Sequence, residues 1–377
     1  MKLQRLISIL IFSSLLFLSF SSKQRHFIHN DNPLHSHIDS LIDEKVRAYY
    51  KDSRAVGLSI VVILRGQFFY YNYGEIRNGS GILPKSNTIY EIGSVTKTFT
   101  GILLAHALLD HKVGLDDDIR KYLPGKFPNL VYQNVPITIR HLANHTSGIT
   151  RIFPNAWERP GYEDADPLKG YGREGLYQGL RQMKLAAIPG EKYGYSNMAV
   201  ALLGYILEDI YGKSYSTQVD RQILKPLRMT HTVTDLHLLS AKAVAVPHDD
   251  AKKVVPFWTL SGVPAMGTLG SCTSDLARYI AANNTEKDPA IRLSHQPTFG
   301  TTQEGMGLNW FLHEIDGQRN VEHSGGTGGS RSSLQCYPSL NSGFAILTNS
   351  LANRNDLEKE MAKLVRQEAS ESGAKTR

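Results

Sequence analysis

Ser94 and Lys97 are two residues whose types and spacing suit acyl-transfer chemistry. They lie three positions apart in the segment 91–100, where apolar residues begin to recur at helical spacing. On a helix, residues three apart share a face, with their Cβ atoms about 5–6 Å apart. A serine hydroxyl needs a neighbour to accept its proton, and a lysine accepts one when burial or a nearby cation lowers its pKa. The spacing therefore predicts a nucleophile, Ser94, beside its base, Lys97.

The start of this helix would add a second feature to the pair. The backbone N–H groups and partial positive charge of a helix N-terminus favour an oxyanion formed beside Ser94. The alternative makes Ser94 an N-cap and Lys97 an exposed lysine, because Ser-x-x-Lys alone is not specific. The motif therefore needs partners elsewhere in the chain.

The segment 189–197 offers one such partner. Tyr195 and Asn197 stand at the start of a second predicted helix, before apolar residues at helical spacing. A tyrosine near a buried lysine can act as acid and base, because the cation favours its deprotonated form. Asn197 would hold a substrate carbonyl or orient Lys97. The alternative is a buried tyrosine hydrogen-bonded to backbone and an asparagine cap.

The segment 322–330 is glycine-rich and begins with a residue that can carry positive charge. His323 is followed by Ser324, Gly325 and Gly326, and two strand-like runs follow at 332–337 and 343–348. Glycines there would let a substrate backbone lie flat on an edge strand. A phosphate-binding loop is the alternative, but strands follow it where a helix should.

Composition limits the classes of protein and partner. The 377 residues are 41% hydrophobic, enough for one large or two ordinary domains with a substantial core. The formal charge of +7 is scattered along the chain, so a nucleic-acid partner is not expected. No metal or cofactor is indicated, since His141 and His145 lack the glutamate of a zinc-protease helix. Cys272 and Cys336 are expected to be buried free thiols, with a disulfide as the alternative.

The N-terminal residues 1–22 have the order of an export signal. Lys2 and Arg5 precede an apolar run of fifteen residues, 6–20, which is short for a membrane span of about 20. We expect this signal to be cleaved, giving a periplasmic or extracellular protein. An uncleaved N-terminal membrane anchor is the alternative. Residues 23–37 are polar and histidine-rich, and we interpret them as a solvated linker.

Further elements are predicted around the motifs. Apolar spacing predicts a helix at 37–50, and two runs rich in Val, Ile, Phe and Tyr, 55–64 and 67–73, predict a β-hairpin. Residues 150–175 have no clear period and predict a long surface loop. Long loops in compact domains are often functional, so this loop is a candidate rim of the site.

Together these motifs resemble those of serine β-lactamase-related proteins. The chain is most similar to the branch of class C β-lactamases and D-alanyl-D-alanine carboxypeptidases, which have the penicillin-binding protein fold. The resemblance covers about 38–365 and rests on Ser94-Val95-Thr96-Lys97, Tyr195-Ser196-Asn197 and His323-Ser324-Gly325, with supporting stretches at 145–148, 189–190, 225–229 and 274–277. It implies an α/β (α+β) domain at 38–370, with an antiparallel sheet from both chain ends flanked by helices. A mostly helical region would be inserted at about 100–300.

The resemblance also implies a mechanism without a cofactor. Ser94 would attack a carbonyl, Lys97 and Tyr195 would share acid and base duty, and the backbone N–H groups of Ser94 and Gly326 would form the oxyanion hole. Water would then hydrolyse the acyl-enzyme. The substrate-binding residues would be Asn197, His323, Ser324 and Gly325.

His323 departs from the class C pattern, which usually has lysine at this position. Histidine is common there in peptidase, D-aminopeptidase and esterase relatives. Being partly charged near pH 7, it would hold a substrate carboxylate less well as pH rises through its pKa. We therefore expect D-amino-acid peptides or esters as substrates. A class C-like β-lactamase, a non-catalytic penicillin- or peptidoglycan-binding protein and a structural envelope protein are the alternatives.

Overall fold

A computed structural model describes residues 28–374, so the predicted signal at 1–22 lies outside the described residues. The helices are α1 His37–Tyr49, α2 Thr96–Leu109, α3 Ile139–Ala143, α4 Arg173–Gln182, α5 Asn197–Tyr211, α6 Tyr215–Val219, α7 Lys225–Leu227, α8 Thr273–Thr285, α9 Pro289–Ser294 and α10 Asn355–Ala374. The strands are β1 Gly57–Leu64, β2 Gln67–Gly74, β3 Tyr90–Glu91, β4 Val131–Tyr132, β5 Val135–Pro136, β6 Gly270–Ser271, β7 Phe299–Gly300, β8 Glu304–Met306, β9 Phe311–Ile315, β10 Gln318–Gly326, β11 Arg331–Tyr337 and β12 Ser342–Thr348.

The main sheet is antiparallel and is built from both ends of the chain. Its eight strands have the order β2-β1-β12-β11-β10-β9-β8-β7, so the N-terminal hairpin pairs with the C-terminal strand β12. The helices α2 to α9 lie between the two groups of strands in the sequence. The predicted antiparallel sheet with a helical insertion is confirmed. The insertion ends near Phe299, because the short strands β7 to β10 extend the sheet before the runs that the sequence predicted.

Strand β1 shows how the core is divided by the sheet. All eight of its residues are buried, and successive side chains point to opposite faces. Leu58, Ile60 and Val62 pack with α1 and α10 on one face, whereas Val61 and Ile63 join the larger core on the other. Both faces are covered by helices, which is why this strand is continuously apolar.

The segment just before α1 is largely exposed, but three of its residues contact the sheet. Asn30 bridges Tyr73 on β2, and the Asp31 carboxylate accepts the Asn72 backbone N–H at 2.7 Å. Asn32 is buried and donates to the Tyr73 hydroxyl at 2.7 Å. These polar side chains satisfy backbone and hydroxyl groups at this edge of the sheet.

Two further sequence expectations concern α2 and the cysteines. Helix α2 is apolar on nearly all sides and is buried from Thr96 to Ala105, as expected of a helix inside a core. Cys272 and Cys336 are buried and free, which confirms the interpretation as two separate thiols. Within residues 28–374, no helix combines the length and apolar character needed to cross a bilayer.

Candidate active site

Ser94 lies in a single 3-10 turn, Gly93–Val95, that leads directly into α2. The Lys97 side chain is fully buried, and its Nζ atom donates to Ser94 Oγ at 2.9 Å and to the Met266 carbonyl at 2.6 Å. Burial lowers the pKa of Lys97 well below its ordinary value, and the positive charge of Arg151 lowers it further. The helical spacing thus places a hydroxyl against an amine that is able to accept its proton.

Tyr195 comes from the loop before α5 and reaches the same point. The Lys97 Nζ atom lies 5.1 Å from the centroid of the Tyr195 ring. Burial raises the pKa of Tyr195 above its ordinary value, and the nearby Ser94 hydroxyl opposes this only in part. The sequence led us to expect a cation to favour the deprotonated form. That expectation is wrong for the free site, because desolvation exceeds the effect of the neighbours.

The second motif is held in place at the start of α5. Ser196 is the N-cap, accepting the Ala199 N–H at 3.0 Å and donating to the Thr150 carbonyl at 2.7 Å. Asn197 is the first residue of the helix, and its N–H donates to the Arg151 carbonyl at 3.1 Å. The Asn197 side chain is partly exposed and makes no hydrogen bond to Lys97 within the described residues. It is thus free to meet a substrate.

The end of β10 packs directly on the turn that carries Ser94. A Cβ added at Gly325 would collide with the Ile92 carbonyl and lie 2.9 Å from the Ser94 nitrogen. Gly93 has a left-handed φ of +49°, and a Cβ there would lie 2.7 Å from the Gly326 nitrogen. Glycine at both positions therefore permits a backbone contact that no other residue allows.

The Gly326 N–H is available at this contact. Thr327 N–H donates to the Ser330 carbonyl at 3.0 Å, closing the turn between β10 and β11. Hydrogen-bonded and non-bonded pairs alternate along an antiparallel ladder. The next pair, Gly326 with Arg331, is therefore non-bonded, and the Gly326 N–H points away from β11. The Gly326 N–H and the Ser94 N–H are the two donors that the sequence predicted for an oxyanion.

His323 is buried on β10, and its charge state differs from the sequence expectation. Burial lowers the pKa of His323 to about 3, so the ring is neutral near pH 7. Its Nδ1 atom lies 2.7 Å from the Ser324 carbonyl, which can only accept, so Nδ1 carries the proton. Nε2 is left as an acceptor with no partner within residues 28–374. The expected pH-dependent hold on a carboxylate is therefore wrong.

Two other residues of the site were not identified from the sequence. His145 is fully buried with φ +60°, its Nδ1 accepts the Ser196 N–H at 3.2 Å, and its ring centroid lies 4.4 Å from that of Tyr195. The sequence favours capping and core hydrogen bonding for His141 and His145 over a metal site, and the hydrogen bond from Ser196 agrees with this for His145. It lies outside α3, which ends at Ala143, so the two histidines do not share a helix face. Its place beside a supporting motif, 145–148, was the available signal.

Glu91 is the second residue that the sequence did not reveal. Its buried carboxylate accepts the Thr327 hydroxyl at 2.6 Å, the Ser330 hydroxyl at 3.2 Å and the Trp258 N–H at 2.8 Å. Burial raises the pKa of Glu91 to about 7. It ties the turn after β10 to the segment before Ser94. An acid within an apolar segment, just before the nucleophile, was the signal that could have found it.

The long surface loop that the sequence predicted at 150–175 ends earlier in the structure, because α4 begins at Arg173. Residues 151–172 contain turns and bends but no helix or strand. Arg159 holds the loop together by donating to the carbonyls of Pro167 at 3.0 Å and Lys169 at 2.7 Å. Ile152 and Trp157 are about half exposed, at 53% and 50%. Both are large apolar side chains exposed on this loop.

One group of side chains has the composition of a metal site. His231, Cys272 and Asp275 offer ligand atoms within 4.8 Å of one another, the only such group of three found within residues 28–374. However, the Asp275 carboxylate already accepts the His231 N–H at 2.8 Å, the Thr232 hydroxyl at 2.9 Å and the Arg278 guanidinium at 3.1 Å. Because these hydrogen bonds occupy the Asp275 carboxylate, we interpret the group as part of the fold and not as a metal site.

The fold and the site together define a class of protein. A serine hydroxyl bonded to a buried lysine, at the edge of an antiparallel sheet with a helical insertion, is the arrangement of a serine hydrolase of the β-lactamase and penicillin-binding protein fold. The Beta-lactamase family model matches residues 42–368, and the chain therefore belongs to the Beta-lactamase family.

Individual relatives agree with this assignment. The chain is 28% identical over 356 residues to D-alanyl-D-alanine-carboxypeptidase/endopeptidase AmpH of Escherichia coli (strain K12), covering 85% of this chain and 89% of that protein. It is 28% identical over 322 residues to Protein flp of Staphylococcus aureus (strain N315), covering 82% of this chain and 62% of that longer protein. The chain thus spans less than two thirds of Protein flp.

Solved structures confirm the predicted fold. The octameric penicillin-binding protein homologue from Pyrococcus abyssi has a TM-score of 0.75 at 25% identity, covering 88% of this chain and 77% of that chain. A β-lactamase/D-alanine carboxypeptidase from Yersinia pestis has a TM-score of 0.76 at 22% identity, covering 88% and 98% of the two chains.

Proposed function

We propose that this protein forms an acyl-enzyme at Ser94 and hydrolyses peptides or esters of D-amino acids, as a hydrolase of the D-alanyl-D-alanine carboxypeptidase type. The observation that carries the proposal is the 2.9 Å hydrogen bond between the buried Lys97 amine and the Ser94 hydroxyl. The relative AmpH, a D-alanyl-D-alanine-carboxypeptidase/endopeptidase, supports the substrate class.

Acylation begins with proton transfer from Ser94 to Lys97. Neutral Lys97 accepts the proton as Ser94 Oγ bonds to the substrate carbonyl carbon, and its lowered pKa provides that neutral amine. The N–H groups of Ser94 and Gly326 stabilise the oxyanion. Tyr195, a neutral phenol in the free site, then donates a proton to the leaving nitrogen or oxygen and recovers one from the Lys97 ammonium.

Deacylation uses the same groups in reverse. Neutral Lys97 accepts a proton from water as the water oxygen attacks the ester carbonyl of the acyl-enzyme. Ser94 Oγ then leaves and takes up a proton, which passes from the Lys97 ammonium through Tyr195. The partly exposed Asn197 amide and the edge of β10 at Ser324 and Gly325 would bind the substrate backbone. No step requires a cofactor.

The test combines covalent labelling with turnover. Wild type, Ser94→Ala and Lys97→Met are given a labelled penicillin, a D-alanyl nitrophenyl ester and a D-Ala-D-Ala peptide, and mass spectrometry locates the label. Methionine suits the buried position of Lys97 because it is apolar and of similar length. We expect label on Ser94 and loss of turnover by about 10³-fold or more in both variants. Ser240→Ala, at an exposed serine, is the matched control.

The same panel separates the alternatives. Undiminished turnover by Ser94→Ala would contradict the proposal. Hydrolysis of the penicillin as fast as that of the peptide would favour a class C-like β-lactamase. Labelling of Ser94 without any turnover would favour a penicillin-binding protein that is not catalytic.

We also propose that the protein is exported. The proposal rests on the charged, apolar and small-residue order of residues 1–22. Expression with a C-terminal tag, followed by cell fractionation and N-terminal sequencing, tests it. A mature N-terminus near residue 23 in the soluble extracytoplasmic fraction is expected. An intact N-terminus in the membrane fraction would support the anchor, and an intact N-terminus in the cytosol would contradict export.

A further inference from the structure

Arg151 is an exposed residue whose backbone is fixed against the second motif. Its carbonyl accepts the Asn197 N–H at 3.1 Å, and the carbonyl of the preceding Thr150 accepts the Ser196 hydroxyl at 2.7 Å. Its guanidinium carbon lies 5.3 Å from the centroid of the Tyr195 ring, which is a cation–π distance. Arg151 is therefore held at the mouth of the site, although it belongs to none of the three motifs.

The Arg151 charge reaches the reacting groups and is not neutralised. Its positive charge acts to lower the pKa of both Lys97 and Tyr195. Its side chain makes no ion pair or hydrogen bond with any residue in 28–374, and it is exposed. A guanidinium stays charged throughout the physiological range and presents paired N–H donors that match a carboxylate.

Each of the other basic groups of the site is buried or already makes hydrogen bonds within the fold. His323 is neutral because burial lowers its pKa to about 3. Lys97 is buried and already donates to Ser94 Oγ at 2.9 Å. Arg331 donates to the carbonyls of Thr327 and Ser330 at 2.7 and 2.8 Å. A carboxylate entering the site therefore finds a charged and unoccupied donor at Arg151.

We propose that Arg151 binds a carboxylate of the substrate and sets the preference of this site for anionic acyl donors. The proposal deepens the proposed function and rests on it for the location of the reacting carbonyl. The carboxylate belongs either to the leaving amino acid or to a group on the acyl side of the scissile bond. Both would form the same bidentate contact with the guanidinium.

Equilibrium binding to Ser94→Ala protein tests the proposal without requiring turnover. Titration calorimetry compares N-acetyl-D-Ala-D-Ala with its carboxamide, which changes the charge on the leaving side. It also compares the N-succinyl with the N-acetyl form of that carboxamide, which changes the charge on the acyl side. The measured quantity is the ratio of Kd values between the charged and neutral members of each pair, with and without Arg151→Gln.

We expect Arg151→Gln to reduce the preference for the charged ligand by about 10- to 100-fold in one of the two pairs, the range for hydrogen bonds to a charged group. Arg151→Lys should retain part of the preference, because it keeps the charge but loses the bidentate geometry. Lys192→Gln, which removes an exposed cation from the loop before Tyr195, should keep the full ratio. This control separates a specific contact from the general charge of the site.

The outcomes separate the two proposals. The assignment of Arg151 would be overturned if the ratio of Kd values for charged and neutral ligands were the same in both pairs with and without Arg151→Gln. It would also be overturned if Lys192→Gln reduced that ratio as much as Arg151→Gln does. Because the measurement is made on Ser94→Ala protein, a failure of acyl transfer in the labelling test would not alter it. The pair that responds identifies which end of the substrate carries the carboxylate.

Discussion

Glu91 provides a prediction whose size follows directly from the structure. Its buried carboxylate accepts hydrogen bonds from the Thr327 and Ser330 hydroxyls and the Trp258 N–H, but no cation pairs with it within residues 28–374. Burial raises the pKa of Glu91 from 4.5 to about 7. Ionising this carboxylate therefore costs more free energy in the folded protein than in the unfolded chain.

The sign and the magnitude follow from the two pKa values. Below about pH 4.5 both states hold the proton, and the group has no effect on the free energy of unfolding. Between 4.5 and about 7 only the unfolded state ionises, so stability falls as pH rises. Above pH 7 the free energy of unfolding has fallen by its full amount, about 3 kcal/mol, since each unit of difference between the two pKa values corresponds to about 1.4 kcal/mol. Glu91→Gln removes the proton equilibrium and should abolish this loss.

Urea denaturation of wild type and Glu91→Gln between pH 4.5 and 8.5 measures the difference. The two hydroxyls can reverse to accept from the glutamine amide, so the variant should fold. We expect its stability relative to wild type to rise by about 3 kcal/mol across this range. Glu158→Gln, at an exposed carboxylate, should follow wild type. Parallel pH profiles for wild type and Glu91→Gln would refute the argument that burial controls this group.

Three further predictions concern the backbone contact, the buried histidine and the cysteines. Gly93→Ala should lower the acylation rate by about 10²- to 10³-fold with retained circular dichroism, because the new Cβ would displace the Gly326 nitrogen; a rate within threefold of wild type would contradict this. In 15N-histidine NMR, the His323 ring should show no titration between pH 5 and 8, because its pKa is lowered to about 3; a midpoint near 6.5 would show that it is solvated. Ellman's reagent without reductant should find two thiols after denaturation and none in the native protein, since Cys272 and Cys336 are buried and free; fewer than two would indicate a disulfide.

Local patterns in the sequence predicted the parts of the site that depend on local geometry. The spacing of Ser94 and Lys97 fixes their contact because both lie on one turn of chain leading into α2. The hairpin β1–β2 and helix α1 followed from periodicity in the same way. Strands β7 and β8 were missed because runs of two or three residues are too short to show a period.

Interactions between distant segments could not be predicted in this way. Glu91 meets Trp258 and Thr327, which lie more than 160 positions away in the sequence. His145 acts through the Tyr195 ring and the Ser196 N–H, about 50 positions away. The local signals around them, an acid before the nucleophile and a histidine in the stretch 145–148, do not show which distant segments they contact. Their roles depend on which loops the sheet and its insertion bring together.

Charge was the property that the sequence predicted least well, and burial explains why. The core position of α2 lowers the pKa of Lys97 well below its ordinary value, and the same desolvation raises the pKa of Tyr195 and lowers that of His323. A site that needs an unprotonated amine therefore cannot also hold an anion with the buried groups around it. The positive charge for that purpose has to come from the surface, where hydration preserves it. Arg151 meets this requirement because its backbone is anchored to α5 while its guanidinium remains in solvent.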